Sequence, residues 1–235
     1  MLPLADKPLF FLDYDGTLAP IVDEPSDAVP HPRIPPLLKH LDSVLPLWII
    51  TGRDIEQLTP LIDLPLRAIG LHGAQEGVIG QEIHSRMPDK AAKAIADLRD
   101  TLPSIRGVTV EEKREAFAVH YRNVDDKENA LRRLQAWTDT MPDILDAIWG
   151  KKVVELRPEG LTKGTAVREI AAEFPEHTPV YLGDDVTDED AFEALHDLRR
   201  DVITVKVGEG DTCAEYHLNG PDEVADYLER YANWH

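Results

Sequence analysis

Short, unbroken apolar runs alternate with longer amphipathic stretches along most of this chain. Leu9-Phe10-Phe11-Leu12, Leu47-Trp48-Ile49-Ile50 and Val180-Tyr181-Leu182 each end in polar or glycine-bearing residues. Runs of this length, bounded by turn signals, predict strands buried on both faces, as in a parallel sheet covered by helices. Helical patterns lie between them. One spans Ile34–Val44, with Pro35 and Pro36 near its start; another spans Thr162–Phe174, with Thr162 as its cap and Pro175 as its stop. The alternation predicts an α/β fold: a Rossmann-like, doubly wound parallel sheet.

The middle of the chain follows a different pattern. Residues 90–101 and 126–138 read as amphipathic helices, and 107–111, 115–122 and 153–157 alternate as strands do. This is the order of an α+β lobe rather than of βαβ crossovers. The expected organisation is therefore a core made of 1–79 and 159–235, with a smaller α+β cap domain inserted at 80–158. Residues 20–36 hold six prolines and predict a constrained surface loop.

Composition narrows the classes of partner. The 235 residues carry 44 acidic and 25 basic side chains, for a formal charge of −19. Such an excess weighs against nucleic acid and anionic membrane surfaces as partners, since both are polyanions. A small phosphorylated substrate stays open, provided that its site is locally cationic. A single cysteine, Cys213, excludes an internal disulfide; it sits in a polar segment with nothing nearby to activate it. The first apolar run is too short for a signal peptide, and no stretch is long enough to span a bilayer. The expectation is a soluble, cytoplasmic, stand-alone protein of undetermined oligomeric state.

Candidate chemistry gathers at the predicted strand ends. Asp13-Tyr14-Asp15-Gly16-Thr17 follows the first strand, and its two aspartates point to one side of an extended chain. Like charges held that close need a cation or a proton; an inert, solvated acidic turn is the plainer alternative. Thr51-Gly52-Arg53 follows the second strand and offers a hydroxyl, an amide and a guanidinium to phosphate oxygens. Gly183-Asp184-Asp185-Val186-Thr187-Asp188 follows the third. Oxygen donors of this kind suit Mg²⁺. Lys163, at the start of the Thr162 helix, could balance clustered carboxylates and a phosphate, or serve as an ordinary exposed helix residue.

In this order the four segments resemble the haloacid dehalogenase superfamily. The resemblance implies that Asp13 is a nucleophile that takes up a phosphoryl group, and that Asp15 is the acid and base. It implies that Thr51 and Lys163 hold that group, that Mg²⁺ lies between Asp13, the Asp15 carbonyl and Asp184, and that Asp185 and Asp188 support it from outside. An acid at position 15 points to phosphate-ester chemistry.

Longer stretches are similar to the trehalose-6-phosphate phosphatase family: Asp13–Ile21, Gly70-Leu71-His72-Gly73-Ala74, Val110–Lys113, Val119–Arg122, Val154–Pro158 and Leu182–Phe192. That likeness implies a sugar-phosphate substrate held by Gly52, Arg53, Glu111, Lys113, Arg122 and Glu155. Solvated cross-strand charge pairs are the plainer account of the last four. His120 and His72 read as structural histidines, and Trp137 and Trp149 as packing. Sucrose 6-phosphate, mannosyl-3-phosphoglycerate and glucosylglycerol phosphate stand as alternative substrates, and a sugar-phosphate-binding protein without catalysis as the rival class.

Overall fold

A computed structural model describes residues 2–112, 117–150 and 152–234. Among these, two compact units form, Ser85–Leu161 and the flanking Met1–His84 with Thr162–His235.

The larger unit is a three-layer α/β fold. Its strands are β1 (Pro8–Leu12), β2 (Leu47–Ile50), β3 (Arg67–Gly70), β4 (Gln75–Val78) and β5 (Ile83–Ser85). The smaller unit supplies β6 (Thr109–Glu112), β7 (Phe117–His120), β8 (Leu145–Gly150) and β9 (Val153–Pro158), and the larger resumes with β10 (Thr178–Gly183), β11 (Ile203–Val207) and β12 (Tyr216–Leu218). The large sheet runs β12-β11-β10-β1-β2-β3-β4-β5. Pairing is parallel from β12 to β3, and β4 returns antiparallel to β3.

Period-two alternation on β1 sorts its side chains between two cores. Phe10 and Leu12 face one side, with helices α1 (Ile34–Val44), α2 (Ile55–Leu58) and, near the C-terminus, Pro221–Ala232. Leu9 and Phe11 face the other, with the helices Lys163–Glu173 and Val186–His196. The smaller unit orders its sheet β6-β7-β9-β8, every pair antiparallel. Its helices α3 (Asp89–Asp100) and α4 (Lys127–Thr138) pack with Phe117, Val119, Val154 and Leu156 on one face of that sheet. In chain order the remaining helices are α5 (Lys163–Glu173), α6 (Val186–His196) and α7 (Pro221–Ala232).

Several expectations shift. Residues 80–84 belong to the larger unit, because the β4–β5 excursion extends its sheet, and the smaller unit runs on to Leu161. Trp137 is buried as expected, but Trp149 is 39% exposed and does not pack in a core. It lies on β8, an edge strand of its sheet, which among the described residues pairs with β9 alone. The proline-rich loop is largely exposed up to Val29, as its composition predicted.

Candidate active site

The carboxyl ends of β1, β2 and β10 lie beside one another in the large sheet, where ligands of open α/β sheets bind. β1 delivers Asp13, whose N–H donates to the Leu182 carbonyl at 2.9 Å and so fixes it beside the end of β10. Gly16 then takes a left-handed φ of 76°, turning the chain out of the sheet.

A carboxylate cluster forms at this end, with Asp13 and Asp188 buried and Asp184 half-buried. Carboxylate oxygens of Asp13, Asp184 and Asp188 lie within 4.8 Å of one another. The buried Lys163 ammonium donates to Asp13 Oδ1 and to Asp188 Oδ1, each at 2.7 Å. Lys163 is delivered by the first turn of α5, whose N-terminus is fixed by reciprocal bonds: Thr165 N–H to Thr162 Oγ1 at 3.1 Å, and Thr162 N–H to Thr165 Oγ1 at 3.0 Å.

Asp188 is saturated. Its Oδ1 also accepts from the Tyr181 hydroxyl at 2.6 Å, and its Oδ2 accepts from the N–H groups of Asp184 at 3.0 Å and Asp185 at 2.9 Å. Four donors fill the lone pairs of one carboxylate, so Asp188 braces the loop while Asp13 and Asp184 retain capacity for a ligand. Asp185 is exposed and caps α6 with its side chain, bonding the Val186 N–H at 2.7 Å. It supports the cluster through its backbone.

Three carboxylates face one ammonium here. Burial raises the Asp13 carboxyl well above its ordinary range, the Asp188 charge adds to this, and Lys163 opposes both. Burial, then the charges of Asp188 and Asp185, push Asp184 up to about 6. Burial alone would lower Lys163, but Asp13 and Asp188 together hold it above its ordinary value. Tyr181 is likewise raised, by burial first and then by Asp188. An all-oxygen donor set with an unbalanced negative charge fits a divalent metal of the hard class.

Around the cluster, Thr51 is buried at the end of β2, and its hydroxyl accepts from the Arg53 N–H at 3.1 Å. The Arg53 guanidinium does not stand free. Its Nε and Nη2 donate to the two oxygens of Asp15 at 2.6 Å each, Nη1 donates to the Pro25 carbonyl at 2.8 Å, and the group lies 5.5 Å from the Tyr14 ring centre. Both Asp15 oxygens are thus occupied by a bidentate fork.

Two groups escaped the sequence reading. Lys206 is buried on β11, and its ammonium donates to the Asp184 carbonyl; a lysine within the apolar run Ile203–Val207 was the available signal. Tyr181 stands in the apolar run Val180–Leu182, whose pattern predicts its burial but not the Asp188 partner of its hydroxyl.

In the smaller unit, Glu111, Ala118 and Glu155 sit in one cross-strand row on the face away from α3 and α4. His120 Nε2 lies 2.8 Å from Glu111 Oε2, and Arg122 Nη2 lies 3.4 Å from His120 Nδ1. The structure joins Glu111, His120 and Arg122 into one chain of contacts, giving His120 a partner on each side. Lys113 lies outside the described residues. No described helix is long and apolar enough to cross a membrane.

Comparison with known proteins agrees with this geometry. The family model described as "Trehalose-phosphatase" matches residues 11–222. A trehalose-phosphate phosphatase of Mycobacterium marinum is 34% identical over 97% of this chain, and the chain spans 62% of that protein's length. A "Trehalose-6-phosphate phosphatase-related protein" of Thermoplasma acidophilum is 32% identical, covering 94% of this chain and 93% of that one. Among solved structures, an Aspergillus fumigatus trehalose-6-phosphate phosphatase superposes with a TM-score of 0.76 at 28% identity, over 98% of this chain and 94% of that one.

Proposed function

The chain belongs to the trehalose-phosphatase family, and on that premise we propose that it hydrolyses trehalose 6-phosphate to trehalose and phosphate, with Mg²⁺ as its cation. The observation that carries this reading is the buried Asp13–Lys163–Asp188 pairing with Asp184 alongside. A pure binding site has no need of a buried nucleophile, Asp13, and an acid, Asp15, two residues apart at one strand end.

Asp13 and Asp184 would hold the metal, with the Asp15 carbonyl as a further donor. Bound there, it would offset the charge of the two carboxylates and of the transferring phosphoryl group. Lys163 and Thr51 would hold the phosphoryl oxygens. Asp13 forms a bond from its carboxylate oxygen to phosphorus while the bond from phosphorus to the sugar oxygen breaks, and Asp15 gives its proton to that oxygen. Asp15 then takes a proton from the water that attacks phosphorus, releasing phosphate and restoring Asp13. Arg53 must loosen its hold on at least one Asp15 oxygen for that exchange.

The smaller unit is the proposed cap, with Glu111, Lys113, Arg122 and Glu155 recognising the sugar. Its polar sheet face supports this, since a disaccharide's hydroxyls suit such mixed charges. Cytoplasmic residence belongs to the same proposal and fits the lone cysteine.

Phosphate release from trehalose 6-phosphate, with Mg²⁺ and with chelator, tests the chemistry. Asp13→Asn is expected to lose essentially all turnover at an unchanged melting temperature. Retained activity in that variant rules out the aspartyl-phosphate route.

A further inference from the structure

One strained turn in the larger unit has no part in the chemistry above. Leu71 and His72 adopt consecutive left-handed conformations, φ 46° and 56°, immediately after β3. Such backbone persists only where its surroundings hold it, and it concentrates at functional sites. Here the surroundings are two phosphate-handling segments.

Against the first, the Leu71 N–H donates to the Arg53 carbonyl at 2.9 Å and the His72 N–H to the Thr51 carbonyl at 3.1 Å. The His72 ring fills the space above Gly52: a Cβ there would lie 2.5 Å from its Cε1 and 2.6 Å from its Nε2. Against the second, Gly73 packs so closely on Thr162 that a Cβ would meet the Thr162 carbonyl at 2.7 Å. Thr162 is the cap that presents Lys163.

We propose that the Leu71–Gly73 turn is a wedge that sets Thr51–Arg53 and the start of α5 in register, with His72 as a positioning residue for the phosphoryl site acting through Gly52. A left-handed pair aims both turn N–H groups at the loop carbonyls and lays the imidazole on the one residue without a side chain. The ring thereby limits how the Gly52 peptide can turn, and Gly52 stays half-buried rather than enclosed. This inference rests on the reading of Thr51–Arg53 as a loop that holds the phosphoryl group.

The test uses the full chain with Mg²⁺ and two readouts independent of trehalose: turnover of p-nitrophenyl phosphate and calorimetric binding of inorganic phosphate. His72→Ala is expected to lose roughly ten- to a hundredfold in kcat, as small misplacements in a reacting site do. Its phosphate affinity should fall with kcat, at a melting temperature close to wild type. Gly52→Ala should lose similarly, because its methyl displaces the ring. The double variant should fall no further than the worse single one, since both changes act on one contact.

Wild-type kcat and phosphate affinity in His72→Ala would overturn the proposal, as would losses that multiply in the double variant. If His72→Ala fails to fold, His72→Asn tolerates the same left-handed backbone without the ring and carries the test with the same outcomes. A wild-type protein that binds no phosphate overturns the reading of the loop, and this proposal with it. Phosphate binding that both His72 variants preserve overturns this proposal alone.

Discussion

Asp184 carries the clearest pH signature of any single side chain in the site. Its carboxyl is raised from 3.8 to about 6, by burial first and then by Asp188 and Asp185. In the metal-free chain the folded state therefore holds this proton to higher pH than the unfolded state does. This group's contribution to stability is present below about pH 4 and is lost as pH rises through about 6. A divalent cation needs the carboxylate form. The gain in melting temperature from Mg²⁺ should accordingly be small near about pH 5 and larger near about pH 7.5. Equal gains at both pH values would remove Asp184 from the metal site. Residue identities at the strand ends were legible because Asp13, Thr51 and Asp184 each follow an apolar run. The Arg53–Asp15 fork was not, since partners 38 positions apart meet only through the adjacency of β1 and β2. The pattern marks His72 only as a structural histidine; its contact with Gly52 depends on a left-handed backbone that no periodicity announces.

Capping decides where the chemistry-bearing helices begin. Thr162 and Thr165 close the N-terminus of α5 one residue before the buried Lys163, and Asp185 with Asp188 does the same for α6. Thr162→Ala should cost about 1 kcal/mol of stability. It should also reduce kcat more than the lost stability accounts for, because Lys163 then leaves its bonds to Asp13 and Asp188. Denaturant unfolding beside steady-state kinetics reads both effects; an unchanged kcat would show that Lys163 is held by its carboxylates alone. The α5 boundaries were legible from Thr162 and Pro175, and α4 from the amphipathic pattern of 126–138, which the structure begins one residue later behind the Asp126 cap. Strand β8 escaped, because Leu145–Gly150 is neither a continuous apolar run nor a clean alternation, and as an edge strand it buries little beyond Leu145. β12 is only three residues long, with one of them buried.

At the scale of the molecule, the parallel sheet and the separate α+β unit followed from the pattern alone, because strands buried on both faces and strands backed by helices on one face differ in hydrophobic period. The exact junctions did not, since β4 and β5 form a short antiparallel extension with few buried side chains. A formal charge of −19 sets the long-range field. That field repels a phosphate dianion, so in the proposed reaction capture would fall to Lys163, a bound cation and nearby donors. Raising ionic strength should screen the repulsion and leave kcat/KM flat or slightly higher. A steep fall with salt would instead require a long-range cationic funnel. The most direct measurement is kcat/KM, with Mg²⁺, for trehalose 6-phosphate beside glucose 6-phosphate, sucrose 6-phosphate and mannosyl-3-phosphoglycerate. A strong preference for trehalose 6-phosphate that disappears in Asp13→Asn is the predicted result. Equal or faster turnover of another ester would contradict it, leaving Asp13 and Asp15 their roles but overturning the assignment of the smaller unit's polar face to this sugar.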